Sequence, residues 1–258
     1  KTLFIYAYSV SGDVYEASFI AEQPNRGVCH VEKTLHKKTF WSSGSGTIDD
    51  PYRIYTPDDL QLINDYIVLN YSTKDLYFRL ENDINLAEYG YGEGQNSWLP
   101  IAYNWETPFE GHLDGNGKSI IGLYSLAEDD SFAALFGHVK ECASVKDLNV
   151  EVDASGNGDI TGIVYCNKGT ISGCKVSGII NSTRFSNAGG IAVYNMGSII
   201  GCSNHARIKS NSIFGQSLVG GICVFNEGRV IACYNTAEQS SLTTSNDDMH
   251  ALHGGIVG

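Results

Sequence analysis

The hydrophobic and polar positions of residues 134–258 follow one pattern that recurs along the chain. The segments 162–174, 190–202 and 221–233 share the sequence G-I-x-x-x-N-x-G-x-[IV]-x-x-C, with five fixed residues and one aliphatic position in each copy. A fourth copy begins at residues 255–258, and the segment that opens at Ala134 is a degenerate copy. Self-similarity at a period of about 20 to 50 residues is typical of solenoid proteins.

Each copy contains short β segments on both sides of Asn-x-Gly. The chain is expected to turn there, because glycine tolerates positive φ and asparagine bonds to nearby backbone. Strands of successive coils would pair in parallel, about 4.8 Å apart, so that identical side chains form ladders. The pattern therefore predicts a mainly β fold, a right-handed parallel β-helix or solenoid. The predicted core ladders are Ile163, Ile191 and Ile222; Ile171, Ile199 and Val230; and Cys174, Cys202 and Cys233.

The repeated polar residues allow more than one interpretation. Asn167, Asn195 and Asn226 form either a structural amide ladder or a ligand-binding row, and the ladder is favoured because stacked amides satisfy one another. The cysteine row does not converge on a metal ion, and a disulfide between rungs would be strained, so packed and reduced thiols are expected. Cys29 lies outside the array, and the sequence indicates no partner for it.

The segments that connect the repeats lengthen along the chain. Residues 181–187, 211–217 and 239–251 are predicted to leave the coil at one corner as loops. Insertions on one face of a solenoid are often its binding surface, and variable solvated loops without a partner are the alternative.

A helix is predicted over residues 57–69. Thr56 is a good N-cap, Pro57 fits the first helical position, and two acidic residues occupy the first turn. The apolar face of this helix would hold Leu60, Ile63 and Ile67.

These patterns divide the chain into three regions. Residues 134–258 form the β-helix repeat array. Residues 43–133 form an N-terminal α+β capping region that contains the helix and the first β-helix strands, expected at 77–86 and within 109–120. Residues 1–42 are alternating β strands, which either pack on the cap or end a preceding β domain.

Charge and hydropathy exclude two classes of partner. The net charge is −12, and residues 154–258 hold six basic and five acidic side chains, so the acidity lies in residues 1–153. An acidic surface repels phosphates, so no nucleic acid partner is expected. No apolar run approaches the roughly 20 residues that cross a bilayer, so no membrane-spanning segment is expected. The first residues lack the layout of a signal peptide, and a trimmed export product would have the same start.

An ordered succession of motifs resembles a known family. The motifs are GSGTxxDPY at 44–52, DINL at 83–86, WxPI at 98–101, FxGxLDGNG at 109–117 and LFG at 135–137. Together with the Gly-Ile repeats they are similar to the GLUG-motif repeat proteins of bacterial cell surfaces. The resemblance implies an exported, surface-displayed β-helix of adhesin type without an assigned catalytic activity. Two copies depart from the family's usual Gly-Leu-Val-Gly, and the aromatic start of the chain is similar to fimbrillin-type domains.

The repeats lack the residues that a polysaccharide-degrading enzyme needs. Glycoside hydrolysis uses two carboxylates about 5 to 10 Å apart, and a lyase uses a base with charge-neutralising cations. The acids of the repeats occupy unrelated rung positions: Asp159, Glu227, Glu238, Asp247 and Asp248. Asp114 is interpreted as a turn residue, and His250 and His253 as loop residues. No catalytic residue, metal site or cofactor is therefore predicted.

The candidate ligand-binding residues are aromatic. Tyr91, Tyr103 and Trp105 lie in or near the glycine-rich segment 89–94, which is predicted to be a loop. Exposed rings stack on sugar faces and make good interface anchors. Trp98, in the family-like WxPI sequence, is expected in the core.

Three functions fit these features. The leading hypothesis is a non-catalytic bacterial cell-surface or secreted module that binds a glycan or a host surface protein through loops on the solenoid flank. A structural stalk and a polysaccharide-degrading enzyme are the alternatives. The array stops one strand into its fourth clear copy, so either the natural chain continues beyond Gly258 or the edge is covered by end-to-end self-association.

Overall fold

A computed structural model shows a β-rich chain with two compact units, residues 1–42 and 43–258. The structure describes residues 2–8, 14–20, 36–37, 40–87, 97–128, 131–183, 186–212, 218–237, 239–243 and 252–258. These residues form one α-helix, α1, and 27 β-strands, numbered in chain order.

Residues 1–42 contain a small antiparallel sheet, sheet A. Its strands are β1 (Thr2–Tyr8), β2 (Val14–Ile20) and β3 (His36–Lys37). The first pairs with the second, and the second with the third. Strands therefore form where the alternating pattern of this region predicts them.

Helix α1 spans Pro57–Val68 and begins where the sequence predicts. The hydroxyl of Thr56 accepts a hydrogen bond from the backbone N–H of Asp59, and the Asp59 carboxylate accepts one from the N–H of Thr56. This reciprocal capping box satisfies two backbone donors that a helix end leaves open. The predicted apolar face is fully or almost fully buried: Leu60, Ile63 and Ile67. Within the described residues, no helix has both the length and the hydropathy to cross a membrane.

Residues 43–258 form a parallel β-solenoid of about six turns. The solenoid that the repeats predict over residues 134–258 is confirmed. Its strands belong to four parallel sheets, named B to E. Sheet B contains β4 (Tyr52–Ile54), β5 (Tyr77–Leu80), β7 (His112–Asp114), β11 (Ser144–Lys146), β15 (Thr170–Ser172), β19 (Ser198–Ile200) and β24 (Arg229–Ile231). Sheet C contains β6 (Ile84–Asn85), β8 (Ser119–Ala127), β12 (Asn149–Gly156), β16 (Lys175–Thr183), β20 (Ser203–Asn204), β21 (Arg207–Ser212), β25 (Tyr234–Asn235) and β26 (Gln239–Thr243).

The two remaining sheets complete each coil. Sheet D contains β10 (Phe136–Val139), β14 (Val164–Asn167), β18 (Ala192–Asn195) and β23 (Cys223–Asn226). Sheet E contains β9 (Phe132–Ala133), β13 (Asp159–Thr161), β17 (Ala188–Gly189), β22 (Leu218–Gly220) and β27 (Leu252–Gly254). In the repeats the chain runs through sheets B, C, E and D in turn and then enters sheet B of the next coil.

The predicted ladders are confirmed, and they are buried except at Val230 and Cys233, which are half-buried in the last coil. Ile199 pairs with Ile171 on one side and with Val230 on the other. The backbone N–H of Cys174 points at Sγ of Cys202, 3.4 Å away, and the N–H of Cys202 points at Cys233 in the same geometry. The isoleucine row is fully buried: Ile163, Ile191 and Ile222. The six cysteines within the described residues are free thiols, whereas Cys29 lies outside the described residues.

The repeated asparagines form a structural amide ladder, the interpretation that the sequence favours over a ligand-binding row. Nδ2 of Asn167 donates to Oδ1 of Asn195 at 2.8 Å, and Nδ2 of Asn195 donates to Oδ1 of Asn226 at 2.7 Å. Asn167 and Asn195 are buried, so their amides depend on one another in place of water.

The glycine of Asn-x-Gly is needed for a reason other than the predicted one. Gly169, Gly197 and Gly228 are not among the residues with positive φ. A Cβ at Gly197 would overlap the carbonyl oxygen of Gly169, and one at Gly228 would overlap that of Gly197. Glycine is required at this turn because the backbones of successive coils approach each other too closely for a side chain.

Positive φ occurs instead at the next bend of the same copy, at the residue just before the cysteine. Gly173, Gly201 and Ala232 occupy this position with φ of 61°, 62° and 52°. Alanine in the third copy shows that this turn has room for a methyl group, at the modest cost of a left-handed backbone.

The connecting segments predicted as loops begin as strands of sheet C. Thr183 pairs with Asn211, and Asn211 pairs with Leu242. Because their backbone groups bond to the neighbouring coil, these residues stay on the solenoid wall and do not leave it. Residues 184–185, 213–217 and 244–251 of the predicted loops lie outside the described residues.

Coil stacking also starts earlier in the chain than the repeats do. Tyr52 pairs with Phe78, Phe78 with Leu113, and Leu113 with Val145. The region predicted as a cap therefore supplies strands of sheet B. Helix α1 packs against β4, the first strand of that sheet.

Candidate functional site

Residues 102–108 form a turn that must protrude from sheet D. Ile101 pairs with Phe136, and Phe109 pairs with Val139. Between these two pairs the chain advances three residues in the later coil, from 136 to 139, but eight in the earlier coil, from 101 to 109. The additional residues have no partner position on the sheet and must leave its surface, in the manner of a large bulge.

The turn is held firmly at its base and at its tip. The N–H of His138 donates to the carbonyl oxygen of Ala102 at 3.1 Å, and the carbonyl oxygen of His138 accepts from the N–H of Phe109 at 2.8 Å. At the tip, Oδ1 of Asn104 accepts from the N–H of Glu106 at 3.0 Å. The side chains on this turn are thus displayed on a fixed backbone.

Two of the predicted binding residues lie on this turn. Trp105 is 72% exposed and Tyr103 is 38% exposed. Tyr91, the third, lies outside the described residues. Trp98 is buried in the core, as expected, and its Nε1–H donates to the carbonyl oxygen of Leu135 at 3.2 Å.

Tyr103 is also the first ring of a row that runs across several coils. Successive ring centroids in this row lie 4.6, 4.1, 5.4 and 4.9 Å apart. Phe132 is almost fully covered, and the other four rings are partly exposed. We call this row the aromatic strip; its members are Tyr103, Phe132, Tyr165, Tyr194 and Phe225.

Four members of the aromatic strip were missed at the sequence level. Each repeat has an aromatic residue between Gly-Ile and Asn, but at positions that the repeat pattern treats as variable. Tyr194 pairs directly with Phe225 and stacks on it, whereas its partner in the preceding coil is Cys166. Tyr165 stands one residue earlier, so it meets Tyr194 edge to face. The recurring aromatic residue is the signal that could have identified the strip.

His138 flanks the aromatic strip at the base of the turn. Its ring lies edge-on to Phe132 and Tyr165, with centroids 5.8 and 5.7 Å away. Burial lowers the pKa of His138, and the charge of Lys168 lowers it further. The imidazole is therefore neutral at pH 7 and can accept or donate one hydrogen bond.

One carboxylate, Asp159, belongs to the surroundings of the strip. Its Oδ1 accepts from the N–H of Asn187 at 2.8 Å and from Nδ2 of Asn187 at 3.0 Å. Burial raises the pKa of Asp159 more than these bonds lower it. Burial and the charge of Asp159 in turn raise the pKa values of Tyr165 and Tyr194. Both hydroxyls are therefore protonated at neutral pH. Tyr165 donates its proton to the hydroxyl of Tyr194, which leaves the Tyr194 O–H to donate to a ligand.

Replacing Asp159 with asparagine is expected to stabilise the protein at neutral pH. Because folding raises the pKa of this carboxyl above its unfolded value, the native state holds the proton more tightly, and its stability falls as pH rises through that window. An asparagine side chain removes this penalty and keeps the oxygen that Asn187 bonds. Urea unfolding of Asp159→Asn should show a larger gain at pH 7 than at pH 4. An equal change at both pH values, or the same change in the exposed-carboxylate control Asp153→Asn, would contradict the assignment.

Comparison with known proteins gives distant similarities. No family model matches the chain. The chain is similar to halomucin of Haloquadratum walsbyi, with 29% identity over 171 residues, which cover 66% of this chain and 2% of halomucin. It is also similar to a protein of Evansella cellulosilytica assigned as a Gly-rich membrane protein, with 34% identity over 113 residues, or 44% of this chain and 12% of that protein. The chain thus matches a small part of either relative.

Among solved structures, the chain is similar to a Bacteroides ovatus protein whose crystal structure is assigned as that of an immunoglobulin A1 protease. The two share 18% identity with a TM-score of 0.45, over 85% of this chain and 87% of the other.

Proposed function

We propose that this chain is a non-catalytic module of a bacterial cell-surface or secreted protein, and that it binds glycans through Trp105 and the aromatic strip. The observation that carries the proposal is the 72% exposure of Trp105 on a turn that is bonded at its base and tip. A large apolar ring exposed to water on a fixed backbone is a strong candidate for a binding anchor.

The chemistry around Trp105 suits a sugar. An indole face can stack on the C–H face of a pyranose ring, while hydroxyl groups of the ligand need hydrogen-bond partners nearby. Tyr103, on the same turn, has a 38% exposed side chain, and the aromatic strip continues the surface with the protonated hydroxyls of Tyr165 and Tyr194. Because the turn is already ordered, a ligand does not have to order it on binding, which favours affinity.

The comparisons support the location of such a module. One relative is named halomucin and another is assigned as a membrane protein, and each is far longer than this chain. A short repeat unit within a long surface protein fits a binding or adhesion role. The resemblance to GLUG-motif proteins supports the same assignment. The proposed binding face is sheet D with its protruding turn, in place of the loops on the solenoid flank.

A glycan array followed by titration calorimetry tests the proposal. Trp105→Ala should weaken binding of the selected glycan by about tenfold or more, the effect of losing one hot-spot ring. Tyr55→Ala is the matched control, because Tyr55 is 41% exposed and lies outside the aromatic strip. A folded wild-type chain that binds no glycan would favour the stalk, and equal losses in both variants would remove Trp105 as the anchor. Release of new reducing ends from a bound polysaccharide would reveal an enzyme.

A further inference from the structure

A cavity of about 320 Å³ lies against sheet B, and no residue of the aromatic strip lines it. Rungs β5, β7 and β11 form its floor, and the segment that carries Ile48, Asp49 and Pro51 forms a wall. Its volume is at the small end of the range for ligand sites and suits a ligand the size of a sugar ring or two.

The wall of the cavity is built before any ligand arrives. The N–H of Ser45 donates to the carbonyl oxygen of Asp50 at 3.0 Å, and the N–H of Tyr77 donates to the carbonyl oxygen of Gly46 at 3.0 Å. Gly46 has a φ of 76°, and a Cβ there would overlap the ring of Tyr52. These contacts fix the segment over the sheet, which lowers the entropy cost of binding.

One row of the floor presents hydrogen-bonding groups. Tyr77, His112 and Ser144 are partners on successive rungs, and the rings of Tyr77 and His112 stack with centroids 4.4 Å apart. Nδ1 of His112 and Oγ of Ser144 are 2.9 Å apart, whereas Nε2 of His112 has no partner in the part of the chain that the structure describes. Burial lowers the pKa of His112 more than the negative charge of Asp75 raises it, so the ring is neutral at pH 7.

The second row of the floor is charged and balanced. Arg79, Asp114 and Lys146 are partners on successive rungs, and Nζ of Lys146 lies 3.1 Å from Oδ2 of Asp114. With Asp49 in the wall, the cavity is lined by two cations and two carboxylates. Balanced charge favours a neutral ligand over an anion, since an anion that approached Lys146 would have to displace the carboxylate of Asp114.

The wall adds an apolar contact to this polar floor. Ile48 is 70% exposed, and Pro51 lies beside it in the lining. A ligand that fits all three features carries several hydroxyl groups on one side and C–H bonds on the other. A neutral sugar ring has this chemistry, because vicinal hydroxyls can bridge a carboxylate and an ammonium group.

We infer that this cavity is a second binding site, separate from the proposed glycan site, and that it holds one neutral sugar residue. The hydroxyl of Ser144 and Nε2 of His112 bond one edge of the ring, the Asp114–Lys146 pair bonds vicinal hydroxyls, and Ile48 covers the apolar face.

The test is a calorimetric titration of the full chain with D-glucose, D-galactose, D-mannose, N-acetyl-D-glucosamine and D-glucuronic acid. At least one neutral sugar should bind saturably, and Ser144→Ala should weaken it about tenfold, the effect of one lost hydrogen bond. Ser198→Ala is the matched control, because Ser198 lies in the same row two rungs further on, outside the cavity. Ile48→Ala provides a second variant at an exposed position, where folding is not at stake.

The outcomes separate this site from the aromatic one. Trp105→Ala should leave binding of the neutral sugar unchanged, so either site can fail without the other. The inference is overturned if no neutral sugar saturates the chain, if glucuronic acid binds in preference, if Ser198→Ala weakens binding as much as Ser144→Ala does, or if Ile48→Ala has no effect.

Discussion

Gly197→Ala is expected to destabilise the solenoid by about 3 kcal/mol or more, a loss as large as that of a major core truncation. The new methyl group would overlap the carbonyl oxygen of Gly169 in the preceding coil and would also press on the backbone of Lys168. These neighbours are main-chain atoms of a turn that is hydrogen-bonded to the coils on both sides, through Val139 and Ser198, so they cannot rotate away as a side chain could. Urea unfolding of the full chain, followed by circular dichroism, measures the change.

Gly201→Ala is the matched control for this prediction. Gly201 has a φ of 62°, but a Cβ at this residue would meet no atom within 4 Å, and the next copy has Ala232 at the same place. Its substitution should cost only about 1 kcal/mol, the penalty of a left-handed alanine. If the two variants lose the same amount, backbone conformation and not the approach of the coils explains the recurring glycines of the repeats.

Asn195→Ala is expected to cost about 3 kcal/mol. Asn195 is the central rung of the amide ladder. Its removal takes the 2.8 Å acceptor from the buried Nδ2 of Asn167, which keeps only the carbonyl oxygen of Ser198 at 3.4 Å, and it takes the donor from Oδ1 of Asn226. A buried polar group that loses its partner costs about 1 to 3 kcal/mol, in addition to the lost bond. The same urea titration measures this change.

Asn226→Ala tests whether burial of the amide causes the large loss of stability expected for Asn195→Ala. Asn226 is exposed, so water can replace it as the partner of Asn195, and the expected loss is about 1 kcal/mol. A larger loss at Asn226 than at Asn195 would contradict the interpretation of the ladder as a buried, mutually dependent network.

The fold was largely predictable because each repeat has to place the same buried side chains over those of the neighbouring coil. Ile199 lies between Ile171 and Val230, and Asn195 lies between Asn167 and Asn226, so one pattern repeated three times defines the stacking. The pattern could not show which atoms of a neighbouring coil require a given residue at each position. The glycine after each asparagine is recognisable in the sequence, but the carbonyl oxygen that requires it belongs to another coil.

The candidate sites were only partly predictable for a related reason. Trp105 and Tyr103 were found because aromatic residues in a loop-like segment are a local signal. The partners of Tyr103 in the aromatic strip, and the rows of the cavity, come from positions that the repeat pattern does not fix. Tyr77, His112 and Ser144 become neighbours only through the register of sheet B. Sequence spacing alone cannot supply that register where the coils differ in length.

A crystal structure of the chain would show whether equivalent residues of consecutive coils stack in register and so create both binding faces. We expect Cys174, Cys202 and Cys233 on successive rungs about 4.8 Å apart, with Tyr194 directly over Phe225 and Trp105 exposed on its turn. Cysteines in unrelated surroundings, or an indole of Trp105 packed in the core, would contradict this expectation.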